Sequence, residues 1–89
     1  MNEQALLLLE RVRMAKKAYR LSNNLIAQAA NMSIGTVTNQ MQGKYHLDIR
    51  VLMAILSLCN DLSAEWLMRG RGDMMYQVFV LQNSVTPKK

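Results

Sequence analysis

The chain has one cysteine, one proline, four glycines and six acidic residues among 89 positions, and each shortage removes a class of answer. A single thiol, Cys59, cannot close an internal disulfide, so stability has to come from a packed core, as in a reducing compartment. Scarce glycine and proline exclude collagen-like and linker-rich chains, and an apolar share of 51% excludes disorder on composition. Aromatic residues make up only 6%, whereas there are eight methionines, which suits a helical core filled by adaptable side chains. No run approaches the roughly 20 apolar residues that a membrane span needs. The run Leu6-Leu7-Leu8-Leu9 follows acidic Glu3, precedes basic residues and has no small-residue cleavage site, so it is not read as a leader. The expectation is one compact, soluble, cytoplasmic domain.

Catalytic groups are also scarce. His46 is the one histidine, it lies in an expected loop, and no serine or cysteine stands near it in a triad-like pattern. Asp48, Asp61 and Asp73 are explained by caps and turns. One cysteine and one histidine cannot make a four-ligand metal site. The chain is therefore read as a non-enzyme with no metal, no cofactor and no evident small-molecule ligand.

What the sequence does have is a basic first half. Residues 1–44 carry Arg11, Arg13, Lys16, Lys17, Arg20 and Lys44 against Glu3 and Glu10, and the whole chain carries +5. Such an excess favours a polyanionic partner, although a solvated basic face has the same composition. From Asn2 to Tyr19 there is no glycine or proline, and Ala5, Leu8, Leu9, Val12, Ala15 and Tyr19 follow helical spacing. This predicts a long first helix with a basic opposite face. Ser22 is placed to cap a second helix over 23–30 and Ser33 a third through Gln42, with Asn31 and Gly43 as stops. Asp48 caps a fourth helix, apolar almost all round, as expected of a central buried element, where Cys59 is an inert buried thiol. Ser63 opens a short fifth helix that ends before Gly70, and its Trp66 and Leu67 close the core. After the turn Arg69–Asp73, the segment Met74–Leu81 is apolar on both alternating faces. It fits a helix folded back on the core or, preferably, a strand that pairs with another subunit.

Helices two and three, joined by so short a turn, form a helix-turn-helix. Ala27 stands where the helices come closest, Asn31 where the turn wants a positive φ, and Val37 where the third helix faces the core, with Ile26, Ala30 and Met32 completing the inward set. An ordinary helical hairpin is the bland alternative. The outward face of the third helix then comprises Ile34, Gly35, Thr38, Asn39 and Gln42, with Lys44 just beyond, and it is almost uncharged. Short polar and apolar groups read base edges while charge belongs on the phosphate rim. Asn39 suits an adenine, Thr38 several bases, Ile34 a thymine methyl, and Gly35 close backbone approach.

The runs Arg11-Val12-Arg13-Met14-Ala15-Lys16, Leu21-Ser22, Ile26-Ala27-Gln28, Thr36-Val37-Thr38 and Gly43-Lys44 resemble the lambda-repressor-like helix-turn-helix regulators, the XRE or Cro/CI type. The patterns Asn39-Gln40-Met41-Gln42-Gly43-Lys44 and Leu62-Ser63-Ala64-Glu65-Trp66-Leu67-Met68-Arg69-Gly70 are similar to a branch common in Bacteroidetes and their phages. The resemblance spans residues 5 to 73. It implies an all-α, five-helix domain that binds double-stranded operator DNA as a homodimer, a repressor of bacterial or phage genes, with an antitoxin or protein-interaction adaptor as the alternative use. It also implies phosphate contacts from Lys16, Asn23, Asn24, Gln42 and Lys44, to which Ser33 and Thr36 at the start of the third helix are added. Two positions depart from the pattern: Ile34 replaces a frequent base-reading glutamine, and Gln40 replaces a frequent apolar core residue. The expected organisation is a binding domain over 1–73, a dimerisation segment over 74–82 and a tail over 83–89.

Overall fold

A computed structural model describes residues 2–76. It is all-α, with α1 Glu3–Ala18, α2 Asn23–Ala30, α3 Ile34–Met41, α4 Ile49–Leu58 and α5 Ala64–Arg69, and no strand among the described residues. No helix of the described residues is long and apolar enough to cross a membrane.

Each helix starts where a short polar side chain can take over an orphan N–H. Asn2 accepts from Ala5 N–H (2.8 Å), Ser22 from Leu25 (3.0 Å), Ser33 from Thr36 (3.2 Å), Asp48 from Arg50 (2.8 Å) and Ser63 from Trp66 (3.1 Å). The Arg50 side-chain hydrogen bond, then its backbone hydrogen bond, hold the Asp48 carboxyl below its usual range. The helices end by reversing through a left-handed residue: Arg20 after α1, Asn31 after α2, Gly43 after α3 and Gly70 after α5. At Gly70 the glycine answers two demands, since φ is 75° and a Cβ would come within 3.1 Å of Arg11 Nη1.

The core gathers Val12 and Ala15 of α1, Ile26, Ala27 and Ala30 of α2, Val37 and Met41 of α3, Val51, Leu52, Ala54 and Ile55 of α4, then Cys59, Leu62 and Leu67. In it α2 packs on both α3 and α4, while α1 packs on α5. Ala27 is 3% exposed and Asn31 has φ 58°, with Met32 N–H returning to the Ala27 carbonyl (2.9 Å), so the α2–α3 turn is as tight as the spacing implied. Gln40 is buried, and its Oε1 accepts the Asp48 N–H at 2.8 Å. A polar residue is tolerated on this inward face because it satisfies the backbone just ahead of α4.

The expectation that α4 is buried almost all round is corrected. Val51, Leu52, Ala54 and Ile55 face the core, but Ile49 and Met53 are 59% and 63% exposed. The adjoining end of α2 offers only Ala29 and Ala30 along the groove that Met53 shares, and side chains that short cannot cover a methionine. Past α5, Met75 pairs with Leu62 in an isolated antiparallel bridge within the chain, flanked by Ser63 N–H to Met74 O and Tyr76 N–H to Asp61 O, both 2.8 Å. The rest of the expected dimerisation segment and the tail lie outside the described residues.

Tyr19 hydroxyl donates to Asp61 Oδ1 (2.8 Å), tying the end of α1 to the α4–α5 loop. Burial, then that bond, push the phenol above its ordinary 10.0, and burial pushes the Cys59 thiol above 9.0. Both groups hold their protons more tightly folded than unfolded, so their contribution is intact below the unfolded values and is lost as pH rises through them. The urea midpoint is expected to decline as pH climbs past about 9 and further past 10. Replacing Gln40 by Met strands the Asp48 N–H, and denaturant unfolding should show a loss of about 1–3 kcal/mol.

Candidate nucleic-acid interface

Arg13, Lys16, Lys17 and Arg20 are spaced i, i+3, i+4 and i+7, which puts four cations on one stripe of α1 and its closing turn. In the fold they wall an open groove of about 640 Å³. The opposite wall comes from Ser22 and Asn23 at the start of α2 and from Thr38, Met41 and Gln42 on α3. Among the described residues no carboxylate lines it, so the local potential is positive, and the N-terminus of α2 adds to it.

The arginines of α1 are divided between tasks. Arg11 turns away from this groove and donates from Nε to Leu67 O (2.8 Å) and from Nη2 to Met68 O (3.1 Å), closing the end of α5. Arg13 donates from Nε (2.9 Å) and Nη2 (2.6 Å) to the Met41 carbonyl at the end of α3. A cation there satisfies an orphan acceptor and opposes the negative end of the helix dipole. It also fixes α3 against α1 across the groove.

Of the sequence-predicted residues, Lys16, Asn23, Thr38 and Gln42 meet around this groove. Asn23 Nδ2 donates to Thr38 Oγ1 (3.3 Å), and Asn23 Oδ1 is buried without a hydrogen-bond partner. Thr38 therefore joins the groove wall to the outer face of α3. Ser33 and Thr36 bond each other through their hydroxyls (2.8 Å) at the start of α3, so Ser33 is occupied as a cap. Ile34 is 51% exposed, Gly35 is exposed, and Asn39 is half-buried, which together form the outward surface of α3. Asn24 and Lys44 are exposed but do not wall the groove.

The sequence points to a basic face on α1 and to Lys16 as a contact; Arg13, Lys17 and Arg20 emerge as groove residues from the fold. The i, i+3, i+4, i+7 stripe was the available signal. Gly35 carries a different message: a Cβ built there meets nothing within 4 Å. The fold has no internal need for glycine in the first turn of α3, where it weakens the helix. No group of three His, Cys, Asp or Glu able to hold a metal occurs among the described residues.

Comparison of the chain with protein-family models, with curated proteins and with solved structures finds no match.

Replacing Gly35 by Ala should raise stability by about 0.5–1 kcal/mol in thermal unfolding, because it adds helix propensity and meets no neighbour. Arg13→Met should lower it by about 1–2 kcal/mol through the uncapped Met41 carbonyl.

Proposed function

We propose that this chain binds double-stranded DNA sequence-specifically, laying α3 in the major groove, as a lambda-repressor-like regulator of bacterial or phage genes. The observation that carries the reading is a division of labour on one surface. An uncharged outer face of α3, built on Ile34, Gly35, Thr38 and Asn39, lies beside a groove walled by cations. A DNA reader needs that division, because phosphates are held by charge and base edges are read by short polar and apolar groups. The resemblance of residues 5 to 73 to helix-turn-helix repressors supports the same reading.

In this reading Asn39 bonds an adenine edge, Ile34 touches a thymine methyl, Thr38 supplies a hydroxyl, and Gly35 lets the backbone approach. Lys16, Asn23, Asn24, Thr36, Gln42 and Lys44 meet phosphates, within the positive field that Arg13 and Lys17 strengthen, while Ser33 serves the contact by capping the start of α3. One reading helix covers too few base pairs for a unique site, so the working form is a homodimer on two half-sites. Its action as a repressor requires no cofactor.

Selection of bound duplexes from a random library should return a two-fold-related site, and affinity for it should fall steeply with salt, by about 0.9 log units per log unit of salt for each phosphate neutralised. Binding to no duplex at low salt overturns the reading. Asn39→Ala should cost about 1–3 kcal/mol on the preferred site and relax one base position, whereas Lys44→Ala should weaken all sequences alike.

A further inference from the structure

Four helices end by reversing through a left-handed residue, and the residues used are not equivalent. After α2, α3 and α5 the position is held by Asn31, Gly43 and Gly70, the two types that adopt this conformation at least cost. After α1 it is held by Arg20, with φ 56°. The reversal there is fully formed, since Arg20 N–H returns to Lys17 O (3.2 Å) and Leu21 N–H to Lys16 O (2.9 Å). The preceding residue is pinned too, through Tyr19 hydroxyl on Asp61. Arg20 thus has no freedom to leave the strained region while these bonds hold.

The fold alone favours glycine or asparagine at this place, as the other three ends show. What distinguishes the fourth end is its position: Arg20 walls the basic groove and completes the stripe begun by Arg13, Lys16 and Lys17, while Asn31, Gly43 and Gly70 do not line it. Its side chain is exposed and has no ion-pair partner among the bridges formed by the described residues. We propose that Arg20 is a phosphate-contacting residue of the groove, kept in a strained turn for its charge at the expense of stability. The inference rests on the DNA-binding reading and deepens it by naming a contact that the left-handed φ of Arg20, not its place in the basic stripe, singles out.

The test uses the full chain, a fluorescently labelled random-sequence DNA duplex, and three variants read for both binding and unfolding. Arg20→Gly removes strain and charge together; it should raise Tm by roughly 4–8 °C, the change that about 1 kcal/mol makes in a domain this size. The same variant should weaken duplex binding by about threefold or more and make the log–log salt slope shallower by about 0.9. Arg20→Asn should behave like Arg20→Gly in both respects. Arg20→Lys should recover the salt slope that Arg20→Gly loses without recovering its added stability. A gain in one property with a loss in the other is the signature, because a merely structural role moves binding and stability together. The inference fails if the wild-type chain binds the duplex and Arg20→Gly binds it with unchanged affinity and slope, or if Arg20→Gly is no more stable. A wild-type chain that binds no duplex overturns the DNA-binding reading itself, and this contact with it.

Discussion

Backbone groups at helix ends are the constraint on which the rest of this structure depends. About four N–H groups at the start and four C=O groups at the finish of any helix lack a partner inside it. Across helices of 16, 8, 8, 10 and 6 residues such groups together outnumber the bonds the helices make internally. Segments this short do not hold in water by themselves, so each needs both a cap and a neighbour. Four side-chain oxygens from serine and aspartate, one asparagine and four left-handed reversals supply the ends. The α2–α3 turn then follows, because a reversal at Asn31 and a cap at Ser33 leave one residue, Met32, between them.

The same constraint shapes the electrostatics. Arginine is the side chain best suited to an orphan carbonyl, and α1 lends two of them to helices far along the chain: Arg11 to α5 and Arg13 to α3. Arg13 remains on the groove wall while it does so, which makes one guanidinium both a strut and part of the positive field. Lys16 and Lys17, on a more flexible stem, carry charge to the same wall without a fixed fork. On the facing wall the Asn23–Thr38 hydrogen bond ties the start of α2 to the uncharged face of α3.

Much of this was legible in the sequence, and the parts that were not share a cause. Ser22, Ser33, Asp48 and Ser63 announce their helices because a cap is a local interaction, decided within four residues. Asn31 and Gly43 are equally readable as stops. Arg20 is not, since an arginine says nothing about φ, and the conformation is imposed by bonds from Lys16, Lys17 and Asp61 acting together. Gln40 looked out of place until its partner, the Asp48 N–H, was brought beside it. The exposure of Met53 depends on what α2 fails to provide beside it, which the composition of α4 alone does not convey. On the interface, the outer face of α3 follows from helical periodicity, whereas the groove needs α1, α2 and α3 in register.

The solitary thiol has a consequence of another kind. Cys59 is 2% exposed, directly follows α4 in the middle of the core, and has its ionisation suppressed by burial. An alkylating reagent in solvent therefore has no thiolate to attack until the α4–α5 region opens. With no second cysteine in the chain to compete or to form a bridge, the rate of its modification reports the open population at low reagent and the opening rate itself once alkylation outpaces reclosing. The molecule thus carries a built-in probe of its own breathing, seated in the same core that α3 packs on and needing no added label.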